Sequence, residues 1–90
     1  MSEPWKLEFS PEAEEKLKEL DGIIRKRVVE KLSWFLENFD SIVPLPLHAD
    51  FKNFYKLRLG DWRIMYRIQW NSRVIRVEDI DKRDKIYKDK

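Results

Sequence analysis

The chain has 90 residues, the length of one domain, and no cysteine, which excludes disulfides and thiolate metal sites. Charged residues make up 40% but net to only +2: residues 1–50 carry 7 Lys and Arg against 11 Asp and Glu, whereas residues 51–90 carry 12 against 6. No run approaches the roughly 18 apolar residues of a membrane span, and the start MSEPWKLEF lacks an apolar signal core, so a cytoplasmic location is expected.

WKLEF, residues 5–9, alternates Trp5, Leu7 and Phe9 with Lys6 and Glu8, which predicts a half-buried strand. Ser10-Pro11 then reads as a helix start, because serine is a favoured N-cap and proline suits the first helical position. Glu12, Glu14 and Glu15 follow in the first turn, where the helix dipole favours acids. Ala13, Leu17 and Leu20 form its apolar stripe, and Asp21-Gly22 ends it. A second helix is predicted from Ile23 to Asn38. Ile24, Val28, Leu32, Phe35, Leu36 and Phe39 recur at three- and four-residue spacing. The two helices make a hairpin whose apolar stripes need a sheet to cover them.

Residues 40–53, DSIVPLPLHADFKN, contain Pro44 and Pro46 and read as an irregular loop whose Ile42, Val43, Leu45 and Leu47 seek burial. Three strands follow, over 54–59, 62–70 and 73–80, joined by turns at Gly60-Asp61 and Asn71-Ser72. Such short connections predict an antiparallel meander. The expected fold is α+β, one domain over 1–90. The N-terminal strand and the meander form a four-stranded sheet with the helices on one face.

In the second meander strand Trp62, Ile64, Tyr66, Ile68 and Trp70 share the face toward the helices. Arg63, Met65, Arg67 and Gln69 share the other. In the first, Tyr55, Leu57 and Leu59 point to the core and Phe54, Lys56 and Arg58 to the open face. Lys56, Arg58, Arg63 and Arg67 thus gather there, with Arg83 and Tyr87 arriving from the tail DKRDKIYKDK, alongside Lys82 and Lys85. Arginine suits two-pronged phosphate contact, fixed positive charge stabilises a developing phosphorane, and an aromatic beside it can stack on an unpaired base. The pattern fits an anion site for single-stranded RNA; a solvated basic strand face is the competing account.

Other chemistries lack their residues. Two glycines, both at turns, leave no phosphate-cradling loop, and His48 has no second histidine with which to hold a metal. Asp79, Asp81 and Asp84 alternate with Lys82, Arg83 and Lys85, which argues for salt links rather than a metal cluster.

The order of elements, with YKLRLGDWRIMYRI followed by VEDIDKRDKIY, resembles the RelE/ParE toxin superfamily of type II toxin–antitoxin systems, in its RelE-like branch. That branch carries a basic-x-basic pair, an aromatic-Arg pair after the turn, and an Arg followed by Tyr after the last strand. Lys56 and Arg58, Trp62 and Arg63, and Arg83 and Tyr87 stand at those positions. The resemblance implies an endoribonuclease that cuts mRNA in the ribosomal A site by attack of a 2′-hydroxyl on the adjacent phosphate, with no metal and no cofactor. It implies the ribosome, mRNA and a cognate RelB-like antitoxin, acidic and helical, as partners, and no membrane. The implied catalytic set is Lys56, Arg58, Arg63, Arg83 and Tyr87, with Arg67, Lys82 and Lys85 as RNA contacts. Arg58 and Arg63 would grip the scissile phosphate and Arg83 would serve the leaving oxygen. Crowded cations disfavour a charged lysine, which makes Lys56 a candidate base, with Tyr87 its rival. Relatives carry Gly-His before the final Arg, where this chain has Asp81-Lys82, and Asp81 is expected to reach Arg83. The alternatives are a ParE-like inhibitor of DNA gyrase without nuclease activity, and a non-catalytic module that binds RNA or protein.

Overall fold

The computed structural model describes residues 4–46 and 53–82. Ser10 starts the first helix as its sequence predicts. Its Oγ accepts from the Ala13 backbone N–H at 3.0 Å, Pro11 takes the first helical position, and α1 runs Pro11–Glu19. Asp21 caps α2, Gly22–Glu37, by accepting from the Ile23 N–H at 3.2 Å. The hairpin between them is tied by Arg25, whose guanidinium donates to the Leu17, Lys18 and Leu20 carbonyls that end α1. A 3₁₀ turn at Phe39–Ser41 follows α2.

The strands are β1 (Lys6–Phe9), β2 (Leu45–Pro46), β3 (Tyr55–Leu59), β4 (Trp62–Gln69) and β5 (Val74–Lys82), in the spatial order β1-β5-β4-β3-β2. The sheet therefore has five strands, not the expected four. The extra one is a two-residue edge strand inside the predicted loop, pairing Leu45 with Lys56 and Pro46 with Tyr55. Proline cannot donate to a ladder but is tolerated on an edge, so the prolines that argue against a helix here do not argue against this strand. β3, β4 and β5 form the expected antiparallel meander, and β1 joins β5 in parallel, with Lys6 beside Val74 and Phe9 beside Val77. Gly60, at φ +58°, supplies the left-handed first position of the β3–β4 turn.

Both helices cover one face of the sheet. Ala13 of α1 and Val28 and Leu32 of α2 bury against Ile64, Val77 and Ile80. Phe35 and Phe39 bury with Trp5, Tyr66 and Ile75 in a second cluster of edge-to-face rings. Two apolar expectations fail. Val43 and Leu45 are 82% and 53% exposed, because Leu45 stands on the open side opposite Lys56 instead of under the helices. Trp70 is 60% exposed, since β4 ends one residue earlier, though its ring still meets Trp5 and Phe39.

β5 also departs from strict alternation. Its buried residues Ile75, Val77 and Ile80 are spaced by two and then by three. Met65 pairs with Asp79 but Tyr66 with Val77, so Glu78 is an extra residue, a β-bulge. The strand then continues to Lys82, two residues beyond its predicted end, and carries Asp81 and Lys82 into the ladder instead of a tail.

Candidate RNA-binding face

β3 and β4 place three of the expected cations together. Arg58 stands directly opposite Arg63 in the ladder, and Lys56, two residues away, opposite Met65. Directly opposed residues of an antiparallel pair project to the same side, so all three leave the sheet on the face away from the helices. Their surroundings differ from the expectation in one respect. Arg58 is exposed and, among the described residues, forms no ion pair, but Arg63 is 0% exposed. Alternation tells the side on which a residue stands and not what covers it. The Arg63 guanidinium is engaged, while its Nε and Nη2 donate no hydrogen bond.

The other RNA contacts expected on this face lie apart. Arg67 is exposed, but it is four residues along β4 from Arg63, roughly 13 Å at the usual strand rise. It belongs to a chain of opposite charges that crosses three strands. Glu8 Oε1 accepts from Arg76 at 2.8 Å, Arg76 Nε donates to Glu78 Oε2 at 3.2 Å, and Arg67 lies 3.9 Å from the same carboxylate. The hydrogen bond to Glu8, with the charge of Glu78, raises the Arg76 pKa above its ordinary value. The Arg67 guanidinium also covers the Phe54 ring at 5.4 Å. Lys82 pairs with Trp62 at the far end of the ladder and extends over its indole at 5.8 Å. Arg83, Lys85 and Tyr87, and His48 in the loop, lie outside the described residues.

Asp79 and Asp81 do not stand ready for a metal. Lys16 Nζ of α1 lies 3.0 Å from Asp79 Oδ1 and 3.0 Å from Asp81 Oδ2. Burial opposes the Lys16 charge, yet hydrogen bonds and attraction from the two aspartates outweigh it and raise its pKa. Arg83, the expected partner of Asp81, lies outside the described residues; among the described residues the Asp81 carboxylate binds Lys16 of α1. Among the described residues, no group of three or more His, Cys, Asp or Glu could hold a metal ion, and no helix is long and apolar enough to cross a membrane.

Beside Lys56 and Arg58 a groove of about 260 Å³ opens between the C-terminal end of α2 and the β3 edge. Phe35, Tyr66, Leu57 and Ile42 form its apolar wall, and the exposed Val43 and Leu45 its rim. β2 covers only Tyr55 and Lys56, so the β3 edge from Leu57 to Leu59 has no strand neighbour there among the described residues. Exposed apolar residues of the helical hairpin and the loop are expected from the sequence to supply a docking groove, but its open edge is not legible there, because a loop with two prolines hides an edge strand.

A family model for the ParE toxin of the type II toxin–antitoxin system parDE matches residues 7–87. The chain belongs to this family, within the RelE/ParE superfamily. No curated protein matches it in sequence. Among solved structures, this toxin is similar to the toxin–antitoxin complex RelBE2 from Mycobacterium tuberculosis, with a TM-score of 0.78 and 24% identity over 90% of this chain and 100% of that one. It is also similar to the isolated RelE toxin of E. coli, with a TM-score of 0.72 and 21% identity over 87% and 83% of the two chains. A YoeB/ParE toxin from Agrobacterium tumefaciens gives a TM-score of 0.69 at 14% identity over 86% and 96%. The toxin fold, two helices on one face of a mainly antiparallel sheet, is common to them.

Proposed function

We propose that this toxin is an endoribonuclease that cuts mRNA in the ribosomal A site, acting in the cytoplasm. The observation that carries the reading is the placement of Lys56, Arg58 and Arg63 on one side of a rigid hairpin, with Arg58 and Arg63 directly opposed. Cations held by strands need little reorganisation when negative charge grows on a phosphate.

In this reading the 2′-hydroxyl oxygen of the RNA attacks the adjacent phosphorus. Its proton passes to a base, the P–O5′ bond breaks, and the leaving oxygen takes a proton from an acid. A cyclic phosphate and a 5′-hydroxyl remain. Arg58, exposed, holds a non-bridging oxygen, and Arg63, buried opposite it, adds its positive charge from within the protein. Lys56 or Tyr87 takes the first proton, and Arg83 neutralises the leaving oxygen. Lys82 and Lys85 hold flanking phosphates, and no metal or cofactor enters the scheme.

A second reading, inhibition of DNA gyrase without nuclease activity, draws support from the family model, which is named for ParE. Induced expression with transcriptome-wide mapping of RNA 5′ ends separates the two. New 5′-hydroxyl ends confined to translated frames are expected. Intact mRNA together with blocked supercoiling would overturn the nuclease.

The partner in either reading is a cognate antitoxin. RelE-type toxins occur in complex with RelB-type antitoxins in M. tuberculosis, E. coli and Pyrococcus horikoshii. The groove beside β3 offers an apolar wall rimmed by Lys56 and Arg58, which suits an acidic, amphipathic segment. Such a segment would cover the cations that RNA needs.

A further inference from the structure

The far end of β5 is held differently from the rest of the sheet. β1 pairs with β5 only as far as Val77, so residues 78–82 have β4 on one side and no strand on the other among the described residues. The start of α1 occupies that side instead. The Ser10 N–H donates to the Val77 carbonyl at 2.9 Å, and Ser10 Oγ donates to the Glu78 carbonyl at 2.9 Å. Beyond Glu78, Ala13 of α1 shares the core with Ile80, and the polar contact with α1 is made by Lys16. Its ammonium binds Asp79 and Asp81 together, and each carboxylate also accepts from the next residue's backbone: the Ile80 N–H reaches Asp79 Oδ1 at 2.9 Å, and the Lys82 N–H reaches Asp81 Oδ1 at 2.9 Å. One cation is thereby linked to the main chain at residues 80 and 82. Residue 83 is covalently next, and Asp81 is itself the ladder partner of Arg63.

We propose that Lys16 is a positioning residue for the basic face: by clamping Asp79 and Asp81 it fixes the end of β5, the segment that stands opposite Arg63. The proposal rests on the nuclease reading above. The physical need for the clamp is the bulge. An extra residue at Glu78 loosens the β4–β5 ladder just before this segment, and two carboxylates two residues apart repel each other unless a cation lies between them. Lys16 also offsets the negative charge of Asp81, which stands opposite Arg63 in the ladder. Lys16 thus acts from the helix layer, without touching RNA. As a pair of partly exposed ion pairs it adds little stability. Its effect is geometric, and a misplacement of about 1 Å in a site that works by positioning lowers turnover by tenfold or more.

The test compares Lys16→Met, Lys16→Arg and the triple variant Lys16→Met/Asp79→Asn/Asp81→Asn in cleavage of mRNA on programmed ribosomes. Lys16→Met should lower kcat about tenfold, with KM within twofold and the thermal midpoint nearly unchanged. Lys16→Arg should retain most of the activity, and the triple variant should recover much of it, because the uncompensated carboxylates are gone. Unchanged kcat in Lys16→Met, or a fall that only follows a loss of folded protein, overturns the proposal. A second readout does not depend on cleavage. Amide hydrogen exchange at Ile80 and Lys82 should quicken in Lys16→Met while that of Ile75 and Val77 stays the same. If the wild-type chain cleaves nothing, the nuclease reading fails by itself, and exchange still decides the clamp: unchanged protection at residues 80 and 82 overturns it.

Discussion

Arg58 and Arg63 face each other across the β3–β4 hairpin, one exposed and the other with none of its surface in solvent. Replacing them therefore has different consequences. Arg58→Ala should leave stability within about 0.5 kcal/mol, as surface substitutions do. Arg63→Ala removes a large buried side chain and should cost about 2–4 kcal/mol. Arg63→Met refills the volume and removes the charge, so it should lie within about 1 kcal/mol of wild type and still lose RNA cleavage. Urea unfolding of the three variants checks this. An Arg63→Met protein as unstable as Arg63→Ala would mean that the charge, not the volume, holds the site.

Binding of single-stranded RNA should weaken with salt, with a slope of roughly 0.7 per phosphate neutralised. Lys56→Ala and Arg58→Ala should each flatten the plot of log affinity against log salt by about that amount. Arg76→Ala should change it little, because Arg76 is occupied by Glu8 and Glu78. Fluorescence anisotropy across a salt series gives the slopes. Equal flattening by Arg76→Ala would move the RNA track across the sheet toward β1.

Alkaline pH should unfold the protein through Tyr66. Burial, with a smaller contribution from Tyr55, raises its pKa well above the ordinary 10.0. Above about pH 10 the unfolded chain releases this proton and the native chain keeps it. The unfolded state then binds fewer protons, so stability falls as pH rises, by about 1.4 kcal/mol per pH unit for this one group. The raised pKa of Lys16 acts in the same direction: its contribution is complete below the ordinary 10.5 and is lost as pH climbs through the higher folded value. Tyr66→Phe keeps the ring contacts with Phe35 and Tyr55 and should remove most of the slope. Denaturation midpoints between pH 8 and pH 11 test it; a Tyr66→Phe curve parallel to wild type would assign the loss to other groups.

Ser10→Ala should cost more than an ordinary helix cap. The hydroxyl accepts from the Ala13 N–H and donates to the Glu78 carbonyl, and the residue is buried. Loss of the cap costs about 1 kcal/mol, and a part-buried carbonyl deprived of its donor adds about 1–3 kcal/mol. A total loss of about 2–4 kcal/mol is expected in chemical denaturation. A loss near 1 kcal/mol would mean that water replaces the hydroxyl at Glu78.

Local signals were legible where a residue's role depends on its neighbours in sequence. Ser10-Pro11 marks the start of α1, heptad-like spacing marks α2, and alternation through 55–69 gives both faces of the hairpin correctly. Properties that depend on distant chain were not legible. The burial of Arg63, the exposure of Val43 and the hold of Lys16 on β5 each join residues separated by one or more elements. The β5 bulge did leave a trace, since Ile75, Val77 and Ile80 break the two-residue period at Glu78-Asp79. At the candidate site, the sequence placed Lys56, Arg58 and Arg63 on one side of the sheet but could not tell which of them meets solvent.

The parallel pairing of β1 with β5 sets a timetable for synthesis. Glu8 and Arg76, bound across these strands, are 68 residues apart. At about 5–20 residues per second, the first strand waits roughly 3–14 s for its neighbour to be made. During that interval α1 has no β5 end to grip, and Arg63 has no Asp81 opposite it. A partly made chain therefore lacks the strand that lies between β1 and β4, and the complete sheet forms only once the last strand has left the ribosome.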